Sequence, residues 1–184
     1  CTNSPILIGL GKDGMSLTSH DNGVRFDLDS DGDKEQLSWT DVNTDDAWLC
    51  LDRNGNGIID NGTELFGSYT PQPDPPQGSE PNGFLALAVF DASENGGNGN
   101  GTIDREDSIY EGLLLWRDLN HNGLSEPDEL IGLNSSGIVE ISFDYKLSRK
   151  VDTHGNQFRY RAKLKIMEHT NIDKWAWDVF LLRD

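Results

Sequence analysis

The sequence predicts an α+β fold in which EF-hand-like calcium loops with short helices pack on a small, mostly antiparallel sheet. Three observations carry this expectation. Asp/Asn/Gly loops repeat the ligand spacing of calcium sites, apolar runs of helical length stand beside them, and the last third of the chain alternates polar with apolar residues. At 184 residues the chain suffices for one sizeable core. Residues 1–184 are therefore expected to form a single module, with an acidic loop region over 1–137 and a β region over 138–184.

In chain order, residues 5–10, 24–28 and 47–51 are apolar runs too short for helices and bounded by Asp, Asn and Gly, as strands are. Residues 70–82 hold five of the seven prolines and predict an extended surface loop. Beyond it, 83–91 (GFLALAVFD) and 108–116 (SIYEGLLLW) predict helices that lead into loops. Then the period changes. Val139, Ile141, Phe143 and Tyr145 alternate with polar residues, as do Phe158, Tyr160, Ala162, Leu164 and Ile166, which predicts two half-buried antiparallel strands. Residues 175–182 (WAWDVFLL) are apolar on both faces and predict a central strand. The stripe Arg159, Arg161, Lys163 and Lys165 could receive an acidic partner, but is expected first to pair across strands with neighbours such as Glu140 and Asp144.

Calcium takes six to eight oxygen ligands, which an EF-hand loop supplies from positions 1, 3, 5, 7, 9 and 12, with Gly at 6. Residues 118–129 (DLNHNGLSEPDE) fit throughout: Asp118, Asn120, Asn122, the Leu124 carbonyl, Glu126 and Glu129, with Gly123 at the turn. Ser125 reads as the N-cap of a following helix. A second loop offers Asp52, Asn54, Asn56, the Ile58 carbonyl and Asp60, but its acid, Glu64, comes one residue late. The third requires an insertion. Asn98, Asn100, Thr102, Asp104 and Asp107 keep register, while position 1 falls on Gly96, so Asp91 or Glu94 must loop in. The fourth candidate runs Asp27, Asp29, Asp31, Gly32, Asp33 to Glu35 but has Ser38 at position 12, so any site there is open or borrows a distant carboxylate. Two to four calcium ions are expected.

The net charge of −17 comes from 32 acidic against 15 basic residues, and residues 1–137 alone carry −19. Such a charge argues against nucleic acid or an anionic membrane as partner and for cations. A protein or surface partner is left open. No run reaches the roughly 18 apolar residues of a membrane span. Cys1 and Cys50 admit three readings: a disulfide in an oxidising compartment, a lipid-bearing Cys1, or two unrelated thiols. The first two imply a secreted or extracytoplasmic protein. Four His and two Cys without ligand spacing disfavour zinc, and no phosphate loop or nucleophile–base pattern is present.

The order SPILIGLGKDG, GVRFDLDSDGD, LDRNGNGIIDNGTELFG, NGFLALAVFD and LLLWRDLNHNGLSEPDEL resembles the calcium-dependent self-processing module of Frp-type RTX proteins, over about residues 4–145. It also resembles related exported bacterial EF-hand-like calcium-binding proteins. The resemblance implies calcium-driven folding followed by cleavage of an Asp–Pro bond before the module, the freed aspartyl carboxyl then bonding to a lysine. Here Ser4–Pro5 stands in that place, and the acidic run after it is reduced to LIGLGKDG. The leading expectation is a calcium-stabilised extracellular module, structural or partner-binding, without catalysis. The alternatives are self-processing and scavenging of calcium or trivalent ions.

Overall fold

The computed structural model describes residues 3–11, 14–42, 44–167 and 174–183. Cys1, Lys12 and Asp13 lie outside the described residues, and with Cys1 both the disulfide and the lipid-anchor readings. Strands form in chain order as β1 (Ile6–Gly9), β2 (Val24–Phe26), β3 (Glu35–Leu37), β4 (Asp46–Cys50), β5 (Thr102–Asp104), β6 (Leu114–Trp116), β7 (Leu130–Gly132), β8 (Ile138–Ser142), β9 (Lys146–Val151), β10 (Gln157–Ile166) and β11 (Lys174–Phe180). Nine of them make one sheet in the order β5-β8-β10-β11-β1-β4-β6-β7, with β9 also on β10, while β2 and β3 pair as a separate hairpin. All strand pairings are antiparallel.

The α+β expectation is thereby corrected. The described residues are 35% strand and 12% helical, with one α-helix among them, and the main element is a curled antiparallel sheet rather than a small sheet under helices. The helix α1 (Gly83–Ala88) stops after six residues, and Val89–Asp91 tightens into a 3-10 turn. Its N-terminus is held by Asn82, whose side-chain oxygen accepts from Phe84 N and Leu85 N. The helix expected over 108–116 is instead a 3-10 turn at Tyr110–Gly112 followed by β6. The reason is burial on both sides: Leu115 packs into one core and Trp116 into the other. An apolar run buried on both faces carries no period to separate strand from helix. Ser125 caps no helix, since residues 127–129 form only a turn before β7.

The sheet divides two cores. On one face Ile6, Ile8, Leu49, Leu115 and Ala162 meet Phe84 and Leu87 of α1. On the other, Leu7, Trp48 and Trp116 meet Phe26, Leu28 and Trp39 from the β2–β3 layer. Ring centroids among Phe26, Trp39, Trp48 and Trp116 lie 4.8 to 5.5 Å apart. Each such pair contributes about 0.5–1.5 kcal/mol beyond area burial, and removing the Trp48 ring would cost about 3–5 kcal/mol. The strand over 174–180 is central, between β10 and β1. β8 and β10 pair antiparallel as expected, but β8 ends at Ser142, short of Phe143 and Tyr145, and buries Ile138 and Ile141 rather than alternate residues; Lys165 Nζ lies 3.3 Å from Glu140 Oε2, while Asp144 pairs with Lys146 instead. Cys50 is fully buried in β4, and burial pushes its thiol pKa far up.

Candidate metal centres

Three of the four loops are inserted in β-hairpins, and this fixes where their last acid falls. Residues 118–129 join β6 to β7, and Arg117 N donates to Glu129 O at 3.0 Å. Residues 52–64 leave β4 and return antiparallel to it, with Leu51 N donating to Glu64 O at 2.8 Å. Between β2 and β3, Phe26 faces Glu35 across the hairpin. In each case the residue just before the first Asp pairs with the loop's closing acid. No flanking helices are needed.

The side chains then repeat one pattern. Asp118 accepts from Asn122 N and Gly123 N at 3.0 and 2.9 Å. Asp52 accepts from Asn56 N and Gly57 N at 3.2 and 2.8 Å, and Asp91 from Asn100 N and Gly101 N at 3.1 and 3.0 Å. Asp27 does the same with Asp31 N and Gly32 N, both at 3.1 Å. The glycine after each third ligand, Gly32, Gly57, Gly101 and Gly123, has φ between 68° and 98°, a region that favours glycine. In three loops the fifth-position Asn donates its amide to the ninth-position acid, Asn122 to Glu126, Asn56 to Asp60 and Asn100 to Asp104, at 2.7–3.0 Å.

The closing acids also correspond. Glu129 accepts from Leu119 N at 2.7 Å, Asn120 N at 3.3 Å and Glu126 N at 3.3 Å. Glu64, one residue later by count, accepts from the equivalent Arg53 N, Asn54 N and Asp60 N at 3.0, 3.4 and 2.7 Å. Asp107 accepts from Asn98 N and Asp104 N at 3.2 and 2.8 Å. Asp91 is the residue that loops in at the third site, while Glu94 is exposed. Ile58 and Leu124 expose apolar side chains, which leaves main-chain oxygen as the donor each could offer, and the Thr102 hydroxyl donates to Asn100 Oδ1.

At the fourth loop the grouping differs from the expected set. Asp27, Asp29, Asp31 and Glu35 bring ligand oxygens within 4.8 Å of one another. Asp33 lies outside that group, exposed, its N–H donating to Asp31 Oδ1. Spacing left Glu35, at position 9 by count, out of the expected ligands, whereas hairpin register sets it at the loop's close, accepting Leu28 N at 3.1 Å. Arg183 reaches in, 2.8 Å from Asp29 and 3.7 Å from Glu35. Its hydrogen bond is the main cause holding the Asp29 carboxyl below its usual range, whereas burial raises that of Glu35.

The donors are oxygen only, which suits a hard cation. Among the described residues, Glu126 Oε2 and Asp29 Oδ1 are oxygens of these loops that are buried without a hydrogen-bond partner. Burial, then the neighbouring Glu126, raises the Glu129 pKa, while the Asn122 amide, then Glu129, lowers that of Glu126.

A family model described as the SPM domain matches residues 6–180. The chain belongs to the SPM domain family. This SPM domain is also 37% identical over 155 residues to the iron-regulated protein FrpA of Neisseria meningitidis serogroup C. The match covers 83% of the chain and 13% of that relative's length. The SPM domain is thus an Frp-related module, and among its described residues no helix is long and apolar enough to cross a membrane.

Proposed function

We propose that this SPM domain binds calcium at up to four loops and is stabilised by it, acting outside the cytoplasm as a structural or partner-binding module without catalysis. The observation that carries this reading is the common hydrogen-bond frame of the four loops, in which first Asp, turn glycine and closing acid recur despite different residue counts. Asp118, Asn120, Asn122, Glu126 and Glu129 would hold one ion. Asp52, Asn54, Asn56, Asp60 and Glu64 would hold a second. Asp91, Asn98, Asn100, Asp104 and Asp107 would hold a third, and Asp27, Asp29, Asp31 and Glu35 a fourth. Bound calcium would offset the mutual repulsion of these carboxylates, and a ligand that binds only the folded state stabilises it by mass action. Affinities of about 10⁻⁴–10⁻³ M, as in extracellular modules, suit the reading.

Scanning calorimetry with calcium and with chelator tests it. Calcium is expected to raise the melting temperature in proportion to the logarithm of its concentration. An unchanged melting curve, with metal absent by elemental analysis of the chelated protein, removes the proposal. Replacing calcium by a lanthanide separates the scavenger reading, which requires much tighter binding of the trivalent ion.

A further inference from the structure

We infer that the free edge of β9, with the cation-bearing face it shares with β10 and β11, docks an acidic, extended peptide segment of a partner protein. β9 pairs with β10 on one side, and no strand lies on its other side among the described residues. Lys and Arg on an edge strand ordinarily protect it from aggregation. Three observations go beyond protection.

Leu147 and Val151 are 62% and 55% exposed on this edge, which a purely protective strand would not offer. The cations beside them are held in place by aromatic rings. Lys150 Nζ lies 4.2 Å from the Phe158 centroid and 5.1 Å from that of Trp177, and the Arg161 guanidinium lies 4.6 Å from Trp175 and 5.6 Å from Trp177. Ring faces attract cations and fix where they point. Lastly, Arg149, Lys150, Arg161 and Lys163 have no carboxylate within ion-pair distance among the described residues, in a chain with 32 acids against 15 bases. Asp46 acts on Lys150 only beyond ion-pair distance, so these groups keep charge that an outside partner can complement.

The edge's form selects the partner. An extended peptide can pair with the free main-chain groups of β9 while its alternate side chains meet the strand's two faces, apolar beside Leu147 and Val151 and acidic beside Lys150. The net charge of −17 repels long polyanions such as nucleic acid, but a short acidic segment feels mainly the local cations. Edge-to-edge pairing of two copies would set like charges of Lys146, Arg149 and Lys150 against one another.

The test is isothermal titration of the full chain, at buffered free calcium, with a short synthetic peptide alternating Glu and Val. A block isomer of the same composition and a Lys-for-Glu counterpart serve as comparisons. Saturable binding of the alternating peptide alone is expected, weakened by salt and reduced about tenfold or more in Arg149→Glu/Lys150→Glu. Leu147→Ser, which removes no charge, should also weaken it while the melting temperature stays unchanged. Equal binding of the block isomer, no saturable binding, or dimerisation in sedimentation velocity that the charge-reversed variant abolishes would each overturn the inference.

Discussion

Glu64 and Glu129 show how much a single side chain decides. Both are 2% exposed and both receive N–H donors from the second, third and ninth loop positions, although one stands at thirteen by count and the other at twelve. Glu64→Gln and Glu129→Gln should each remove roughly 3 kcal/mol of calcium-dependent stabilisation at calcium well above Kd, and much less in chelator. Glu35→Gln should behave likewise and Asp33→Asn should not. Denaturation with and without calcium reads the difference, and equal losses in both conditions would assign these carboxylates to the metal-free fold alone. A different titration belongs to Asp178, buried in β11, with Oδ2 2.6 Å from Gly83 N. Burial raises its pKa from 3.8 to about 7 against the Gly83 and Ser4 donors, yet neither Oδ1 nor Ser4 Oγ makes a hydrogen bond of good geometry. The folded state therefore keeps a proton that the unfolded chain releases above pH 3.8, so stability falls as pH rises from there through about 7. Asp178→Asn, neutral throughout, should gain on the parent protein by up to a few kcal/mol between pH 5 and pH 8, roughly 1.4 kcal/mol per unit. Urea titrations in chelator at both pH values measure it, and a constant difference contradicts the assignment.

At the scale of elements, the loops were legible in the sequence because a turn of this kind is written in side-chain spacing: Asp118 and Asp52 accept the turn N–H groups from the position that counting gives them, whereas counting put that position of the third loop on Gly96 and left Asp91 or Glu94 to loop in. The supporting elements were not. Leu113, Leu115 and Trp116 are buried on both faces of the sheet, so their apolar run has no period, and helix-like length decided the reading wrongly. Glu35 escaped because its role depends on the Phe26–Glu35 register, a fact of pairing rather than of count. The same hairpins tie loops together. Ile59 N donates to Ser125 Oγ at 2.6 Å, joining the loops at 52–64 and 118–129, and Gly62 N donates to Asp27 O at 2.9 Å, joining the first of these to 27–35. The loop over 91–107 is instead anchored by β5 on β8, at the far end of the sheet. Calcium binding at the three joined loops should be coupled and that at 91–107 independent. Amide resonances of the turn glycines report this directly. In Glu129→Gln, the calcium midpoints of Gly123 and Gly57 should both rise while that of Gly101 stays; a shift at Gly123 alone would mean that the loops do not communicate.

For the whole molecule, the question is whether a chain with Ser4–Pro5 at the entry to β1 can break itself there. Ser4–Pro5 enters β1 deep in the structure, with Ser4 1% exposed, its carbonyl accepting Ser68 N at 2.9 Å and the Pro5 carbonyl accepting Val179 N at 3.0 Å. One bond is made by the Ser4 carbonyl itself and the other by the carbonyl after it, so the peptide is held in place. They do not supply a nucleophile. An Asp in place of Ser4 could close a five-membered anhydride on its own carbonyl, expelling the proline nitrogen, whereas the Ser4 hydroxyl attacking that same carbonyl would close a strained four-membered ring. Attack on the carbonyl before it is geometrically easier, but it breaks the bond between Asn3 and Ser4 and leaves Ser4–Pro5 intact. We therefore predict that calcium tightens the fold without cutting at Ser4–Pro5. Intact-mass measurement over time in millimolar calcium checks this, with Ser4→Asp run in parallel as the chain that has the missing carboxylate. A calcium-dependent fragment beginning at Pro5 in the parent protein would refute the chemistry, and one beginning at Pro75 would move the reaction to the exposed Asp74–Pro75 bond of the proline-rich loop.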